Sequence, residues 1–148
     1  MRNIAIYKAT LDNEEIDQLK SVLQAKDDLS KVLEFEEKMV KYIGAKYAIA
    51  TATSTAALHL ALSSMRLKRG DKVLMSVNSF VNLPETVRHF DAEPIFVDIN
   101  LEDMNLDIEK FEEAIIANKS KKLRAAIITF IGGLAPNLDK IYEIGKKY

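Results

Sequence analysis

Short apolar segments alternate with amphipathic segments along most of this chain, and this alternation constrains the fold more than any other feature. The apolar segments, which we predict as strands, are Tyr47–Ala50, Lys72–Ser76, Pro94–Asp98 and Ala125–Phe130. Continuous apolar runs are typical of parallel strands buried on both faces, and helical patterns separate them here. The sequence therefore predicts an α/β fold with three layers, in which helices flank a mainly parallel sheet.

Two helices are predicted ahead of the first strand. Asn13 is a good N-cap for the first of them, and Gly44 is a typical stop for the second, which begins near Ser30. The polar segment Lys26–Asp28 interrupts the helical pattern between the two helices. Later helices are predicted after Thr51–Thr55, around Pro84, after Asp107 and after Asn137. We expect residues 1–45 to form the leading helices and residues 46–148 to form the alternating strands and helices.

Composition and charge exclude several classes of protein. The 148 residues carry 21 Lys and Arg against 22 Asp and Glu, so the net charge of −1 gives no overall electrostatic reason to bind nucleic acid or an anionic membrane. The absence of cysteine excludes a disulfide scaffold, a cysteine-ligated metal site and a thiol nucleophile. The first residues lack the apolar core of a signal peptide, and no apolar run is long enough to span a membrane. We therefore expect a cytoplasmic protein.

Ligands of parallel α/β sheets bind beyond the carboxyl ends of the strands. The segments predicted at that edge are Thr51–Thr55, Val77–Asn82, Asp98–Asn100 and Ile131–Asn137. These segments hold the candidates for function.

The segment Thr51–Thr55 is rich in hydroxyl groups and joins a predicted strand to a predicted helix. Free backbone N–H groups and the positive end of the helix dipole converge at such a turn, and the hydroxyls of Thr53, Ser54 and Thr55 add donors that suit a phosphate. The alternative is that one hydroxyl caps the helix while the others face water. The chain has neither a Walker loop nor the Gly-x-Gly-x-x-Gly fingerprint, so neither of those systems explains a phosphate here.

Other side chains at this edge have two interpretations each. Phe80 could stack on a flat ring beside the anion site, or it could belong to the core or form a hydrophobic staple for the helix around Pro84. Asn78 and Asn82 could be turn formers and nothing more. Asp98 could orient a ligand, although an aspartate at a strand end more often makes a turn. The two histidines have no metal-ligand spacing, so we expect no metal site.

A set of short segments in one register carries a resemblance to a known family. The segments are Phe35–Glu37, Tyr42–Ala48, Ser54–Leu62, Gly70–Val73, Pro94–Ile99, Asn105–Asp107 and Asn137–Ile141. No single segment is decisive, but the ordered set resembles the amino-terminal part of the DegT-type (DegT/StrS) sugar-nucleotide aminotransferases. These are pyridoxal-phosphate enzymes of the aspartate aminotransferase fold, which is fold-type I of the transferases that use this cofactor.

The resemblance implies two cofactor contacts in this chain. The family holds the cofactor phosphate at a Ser-Gly-Thr-Ala-Ala turn, which corresponds here to Thr53–Ala57. Ser54 and Thr55 are therefore implied phosphate-binding residues, with Ser54 standing where the family has glycine. An aromatic residue that stacks on the pyridine ring of pyridoxal phosphate falls at Phe80.

The resemblance assigns no catalytic residue to this chain. In the family, the aspartate that pairs with the pyridinium nitrogen and the lysine that forms the Schiff base both lie beyond the position of Tyr148. Transamination needs that lysine as covalent anchor and proton shuttle. We therefore expect residues 1–148 to be the amino-terminal part of a truncated large domain that is inactive alone.

The reaction implied for the family is transfer of an amino group from glutamate to a nucleotide-linked keto sugar in cell-surface polysaccharide biosynthesis, with a related dehydratase branch on the same fold. Family enzymes are dimers, and a sheet cut after four strands leaves an unpaired edge, so we expect a homo-oligomer. The alternative is a non-catalytic module that binds a phosphorylated ligand or a protein partner.

Overall fold

The computed structural model describes residues 8–25 and 29–148. The expected interruption at Lys26–Asp28 and the expectation for the first seven residues lie outside the described residues. The chain divides into two compact units, with the boundary between Ala50 and Thr51. Within the described part of the chain, no helix is both long and apolar enough to cross a membrane.

The first unit begins with helix α1, which spans Asn13–Gln24 and is capped by Asp12 rather than by Asn13. The Asp12 carboxylate accepts a hydrogen bond from the Glu14 N–H at 2.8 Å, and the Glu15 carboxylate accepts one from the Asp12 N–H at 2.7 Å. This reciprocal capping box needs a carboxylate three residues after the cap. Glu15 supplies it for Asp12, whereas the residue three after Asn13 is apolar, so the predicted cap was wrong by one position.

Helix α2 spans Ser30–Ile43 and ends as predicted at Gly44. The backbone of Gly44 adopts a left-handed conformation with φ of 72°, and its N–H donates to the Val40 carbonyl at 3.0 Å. Glycine reaches this conformation without the steric cost that a Cβ imposes. The stop signal in the sequence is therefore confirmed.

The predicted first strand, Tyr47–Ala50, is not a strand among the described residues. The side chains of Tyr47 and Ile49 are 75% and 76% exposed, and the Ala50 N–H donates to the Glu36 carboxylate at 2.7 Å instead of to another strand. A strand is defined by backbone hydrogen bonds to a neighbouring strand, and an apolar sequence alone does not provide that neighbour. The prediction was wrong because it rested on composition alone.

The second unit contains a parallel sheet covered by helices, which confirms the predicted fold class. Its strands are β1 (Lys72–Ser76), β2 (Glu93–Val97) and β3 (Leu123–Ile127), in the order β2-β1-β3. β1 is the central strand and pairs in parallel with both neighbours, so that Leu74 lies opposite Ile95 on one side and Ala126 on the other.

The bounds of β1 match the prediction, whereas those of its neighbours are shifted toward the amino terminus. β2 was expected at Pro94–Asp98 and β3 at Ala125–Phe130. The ladder places Ser76 opposite Val97, and the last β3 partner of β1 is Ile127. β2 therefore ends level with β1 and β3 ends one residue earlier, because further residues have no ladder partner.

Four helices belong to this unit: α3 (Ser54–Ser64), α4 (Asn82–Arg88), α5 (Ile108–Ala117) and α6 (Leu138–Lys147). Asp107 caps α5 as predicted, since its carboxylate accepts from the N–H groups of Glu109 and Lys110. Asn137 caps α6 in the same way by accepting from the N–H of Lys140 at 3.1 Å. Pro84 lies in the first turn of α4, where its missing N–H leaves no intrahelical bond unmade.

Two hydrophobic clusters lie on opposite faces of the sheet. The face covered by α5 and α6 contains Leu74, Val97, Leu106, Phe111, Ile115, Ile141 and Ile144. The face covered by α3 and α4 contains Leu62, Leu67, Val73, Met75, Val87 and Ala92. Successive side chains of a strand point to opposite faces, so β1 contributes to both clusters. The central strand β1 is therefore buried between two helical layers as predicted, whereas β2 and β3 keep exposed residues such as Phe96 and Ala126.

Asp71 stabilises the amino end of β1. Its side chain is 8% exposed, accepts a hydrogen bond from the Lys68 N–H at 2.9 Å and lies 3.5 Å from the Lys122 ammonium. The hydrogen bond from Lys68 lowers the pKa of the Asp71 carboxyl, and Lys122 lowers it further, against the opposing effect of burial. The folded state therefore favours the ionised form.

We expect Asp71→Asn to lower the urea midpoint at neutral pH, because the neutral amide loses the attraction of Lys122. A folded-state pKa below the unfolded value contributes stability that is present above the unfolded pKa and is lost as the pH falls through the folded pKa. Wild type and variant should therefore converge in acid. The exposed control Asp139→Asn should show a smaller difference at neutral pH; a constant difference at every pH would contradict this prediction.

Candidate functional site

The loop that follows β1 is attached to the loop that follows β2. β1 ends at Ser76, which is fully buried and whose hydroxyl accepts from the Asn78 N–H at 3.2 Å. The Asn78 side chain donates to the Met104 carbonyl at 3.1 Å, and the Val77 N–H donates to the Val97 carbonyl at 2.9 Å. Asn78 thus connects two segments of the functional edge and is more than the turn former that its position in the sequence allowed.

The residues of the hydroxyl-rich turn have different hydrogen-bonding roles. The Thr53 hydroxyl caps α3 by accepting from the Ala56 N–H at 3.1 Å, which confirms the capping interpretation for this one residue. The backbone N–H groups of Ser54 and Thr55 have no acceptor among the described residues. The amino terminus of α3 therefore presents two unpaired N–H groups at its positive end.

Ser54 occupies the position at which the resembling family has glycine. It is the first residue of α3, and it is not among the described residues with positive φ. The backbone here does not need the left-handed region that favours glycine. The departure from the family pattern is therefore compatible with this turn.

Asn82 joins the hydroxyl turn to the segment that carries Phe80. The Asn82 side chain donates from Nδ2 to the Thr55 hydroxyl oxygen at 3.1 Å, across 27 positions of sequence. Asn82 is the first residue of α4, and its Oδ1 is a buried oxygen with no hydrogen-bond partner among the described residues. Sequence reasoning missed this contact, because nothing in the spacing of the two residues indicates that they meet.

Phe80 is exposed rather than part of the core. Its side chain is 74% accessible, and its carbonyl accepts from the Leu83 N–H at 3.0 Å within the turn that leads into α4. The interpretation of Phe80 as a core residue is therefore wrong. Since Asn82 follows two residues later and contacts Thr55, an exposed aromatic ring and the hydroxyl turn belong to one edge of the sheet.

Asn105 is a second residue that sequence reasoning missed. It is fully buried, donates to the Leu134 carbonyl at 3.1 Å and accepts from the Ile131 N–H at 3.0 Å. These two bonds fix the loop after β3, in which Gly132 and Gly133 have φ angles of 61° and 81°. No local pattern distinguishes this buried asparagine from an ordinary turn residue.

The remaining candidates form local or packing contacts. The Asp98 carboxylate accepts from the adjacent Ile99 N–H at 2.8 Å, which is the turn interpretation. His59 and His89 are exposed, with ring centroids 6.0 Å apart, and the ring of His59 lies 4.7 Å from that of Phe90. In the described ranges, no group of three or more histidine and acidic side chains is arranged to hold a metal ion.

The fold and this edge together define an α/β domain with an anion-compatible helix amino terminus at the carboxyl ends of its strands. A model of the DegT/DnrJ/EryC1/StrS aminotransferase family matches residues 9–148. The chain belongs to this family, which confirms the resemblance found in the sequence.

Individual proteins agree with this membership. The chain is 32% identical over 118 residues to the spore coat polysaccharide biosynthesis protein SpsC of Bacillus subtilis, a match that covers 80% of this chain and 29% of that protein. It is 32% identical over 117 residues to the UDP-2-acetamido-2-deoxy-3-oxo-D-glucuronate aminotransferase of Pseudomonas aeruginosa, covering 79% of this chain and 32% of that enzyme.

A solved structure of E. coli GDP-4-keto-6-deoxy-D-mannose-3-dehydratase with bound hydrated PLP is also similar, with a TM-score of 0.84 and 25% identity over 97% of this chain and 38% of that one. The chain spans about a third of the length of the curated relatives that it matches.

We expect Asn105→Ala to lower the free energy of unfolding by about 1–3 kcal/mol, because it removes a fully buried side chain and leaves the Ile131 N–H and the Leu134 carbonyl without their partner. Urea unfolding followed by circular dichroism measures this loss. The exposed Asn13→Ala should change stability by less than about 0.5 kcal/mol. Equal effects of the two substitutions would show that Asn105 does not hold the loop.

Proposed function

We propose that this chain contributes the phosphate and ring contacts of a pyridoxal-phosphate-dependent nucleotide-sugar aminotransferase. The observation that carries the proposal is the pair of unpaired N–H groups at the start of α3, beside a Thr55 hydroxyl that Asn82 holds. Membership of the aminotransferase family supports it independently.

The residues present fit the cofactor. The N–H groups of Ser54 and Thr55 and the Thr55 hydroxyl offer three donors to phosphate oxygens at the positive end of an 11-residue helix. Phe80 offers an exposed aromatic face for a flat ring. Bound pyridoxal phosphate supplies the electron sink that transamination needs. In this proposal Ser54 and Thr55 bind the phosphate, and Phe80 orients the ring.

The reaction we propose for the whole protein is transfer of an amino group from glutamate to a nucleotide-linked keto sugar in cell-surface polysaccharide biosynthesis. A spore coat polysaccharide biosynthesis protein and a UDP-sugar aminotransferase among the relatives support this choice. The similarity to a keto-sugar dehydratase supports the dehydratase branch as the second candidate.

We assign residues 1–148 to the amino-terminal part of the large domain and propose that they bind cofactor without catalysing transamination. The support is that the family's Schiff-base lysine motif does not occur in these residues. A non-catalytic module for phosphorylated ligands or protein partners is the alternative, and the same unpaired donors at α3 favour it. Our proposed compartment is the cytoplasm, for which the absence of cysteine is the support.

A direct test titrates pyridoxamine phosphate and pyridoxamine into the 148-residue chain by calorimetry, since neither carries an aldehyde that reacts with surface lysines. We expect the phosphorylated compound to bind more tightly. Thr55→Val should weaken its binding roughly ten- to hundredfold through loss of a bond to a charged group, and leave pyridoxamine unchanged. Phe80→Ala should weaken both ligands roughly two- to tenfold.

The matched controls are Thr10→Val and Phe35→Ala, which replace exposed residues of the first unit and should bind like wild type. Equal binding of both ligands by wild type would refute the phosphate site. Added glutamate and pyridoxal phosphate should give no turnover, and borohydride should trap no adduct at one particular lysine. Turnover would overturn the proposal that these residues do not catalyse.

We also propose that the chain forms a homo-oligomer. The support is that, within the described residues, β2 and β3 each have a paired edge only toward β1, so their outer edges carry unpaired backbone groups. Such edges favour association.

Light scattering on the purified chain should give a mass of at least two copies, and the mass should fall on dilution. A single monodisperse species of 16.7 kDa at all concentrations would contradict the proposal.

A further inference from the structure

We propose that Asn82 is a positioning residue for the phosphate site, because it directs the Thr55 hydroxyl proton toward the bound anion. The inference rests on the proposed function and extends it to a residue outside the hydroxyl turn. It is carried by the single side-chain bond that connects the turn to α4.

The direction of the hydrogen bond decides what Thr55 can do. A hydroxyl has one proton to donate and two lone pairs that accept. The Asn82 amide occupies a lone pair of Thr55 at 3.1 Å, and the Thr55 proton has no acceptor among the described residues. The bond therefore fixes the oxygen and leaves its proton available to a phosphate oxygen.

Two other threonines near the site commit their hydroxyl protons to the backbone, unlike Thr55. The Thr51 hydroxyl donates to the Thr53 carbonyl at 2.9 Å, and the Thr86 hydroxyl donates to the Asn82 carbonyl at 2.6 Å. In both cases the backbone takes the proton. Thr55 is the one of these three hydroxyls that accepts a side-chain bond and keeps its own proton uncommitted.

The backbone of Asn82 is anchored within α4, whose inner face packs in the core. Its backbone carbonyl accepts from Thr86, which is 1% exposed, and the next residue along, Val87, is fully buried between α4 and the sheet. A donor on a rigid element presents its partner with less freedom than a donor on a loop. Asn82 follows Phe80 by two residues. Its bond to Thr55 therefore joins the segment that carries the proposed ring contact to the turn that carries the proposed phosphate contact.

The other end of the Asn82 amide makes no stabilising hydrogen bond within the described residues. Its Oδ1 is buried without a partner among the described residues, which destabilises a folded protein. Alanine at this position removes that unpaired oxygen and is a better helix former than asparagine.

The experiment compares pyridoxamine phosphate with pyridoxamine on wild type, Asn82→Ala, Thr55→Val and the double variant, with thermal unfolding of each. We expect Asn82→Ala to weaken pyridoxamine phosphate about three- to tenfold, with pyridoxamine binding unchanged and the unfolding midpoint unchanged or raised. The double variant should bind like Thr55→Val, because Asn82 acts only through that hydroxyl. Asn13→Ala, which replaces an exposed asparagine of the first unit, is the control and should bind like wild type.

Any one of four results would overturn the inference. If wild type does not prefer the phosphorylated ligand, the proposed function fails and this inference fails with it. If wild type has the preference but Asn82→Ala keeps it, or if the two substitutions are additive, the phosphate site stands and the positioning role is wrong. If Asn82→Ala weakens both ligands equally and lowers the unfolding midpoint, Asn82 has a structural role only.

Discussion

The parallel hydrogen-bond ladder on both edges of β1 is the constraint on which the second unit depends. β1 pairs with β2 over its whole length and with β3 from Lys72 to Met75, and its alternating side chains contribute Leu74 to one hydrophobic cluster and Val73 and Met75 to the other. The helices are distributed to both faces because the central strand is apolar on both faces. The end of this strand also determines where the two neighbouring strands stop.

The candidate site lies where β1 and its ladder end. Where the ladder stops, backbone groups lose their strand partners and must find others. Asn78 and Asn105 satisfy some of them across the loops after β1, β2 and β3. Asn82 instead reaches the Thr55 hydroxyl, and the two N–H groups at the start of α3 remain without an acceptor in the described structure. Donors that the protein does not use itself are the ones available to an anion.

The sequence predicted what depends on local chemistry or on a regular pattern. The fold class, the bounds of β1, the Gly44 stop and the caps at Asp107 and Asn137 follow from periodicity and from short side chains next to helix ends. Proximity to the site was predicted for Thr55 and Phe80, because both follow segments expected to be strands.

What depends on distant partners could not be predicted. Tyr47–Ala50 has the composition of a strand, but a strand also needs a neighbouring strand to pair with. The composition of the segment does not show whether such a neighbour is present. The contacts of Asn82 with Thr55 and of Asn105 with the loop after β3 join residues more than twenty positions apart. Asparagine serves equally well as a turn former, so its identity does not reveal which of these roles it has.

The extended run Tyr47–Ala50 has a consequence for the behaviour of the chain in concentrated solution. Exposed β-prone segments of low charge are the composition that stacks into cross-β assemblies. Lys46 adjoins this run, and its ammonium lies 5.4 Å from the centroid of the Tyr47 ring. A charge beside an exposed apolar run opposes the stacking of identical copies, and Lys46 has the position of such a gatekeeper.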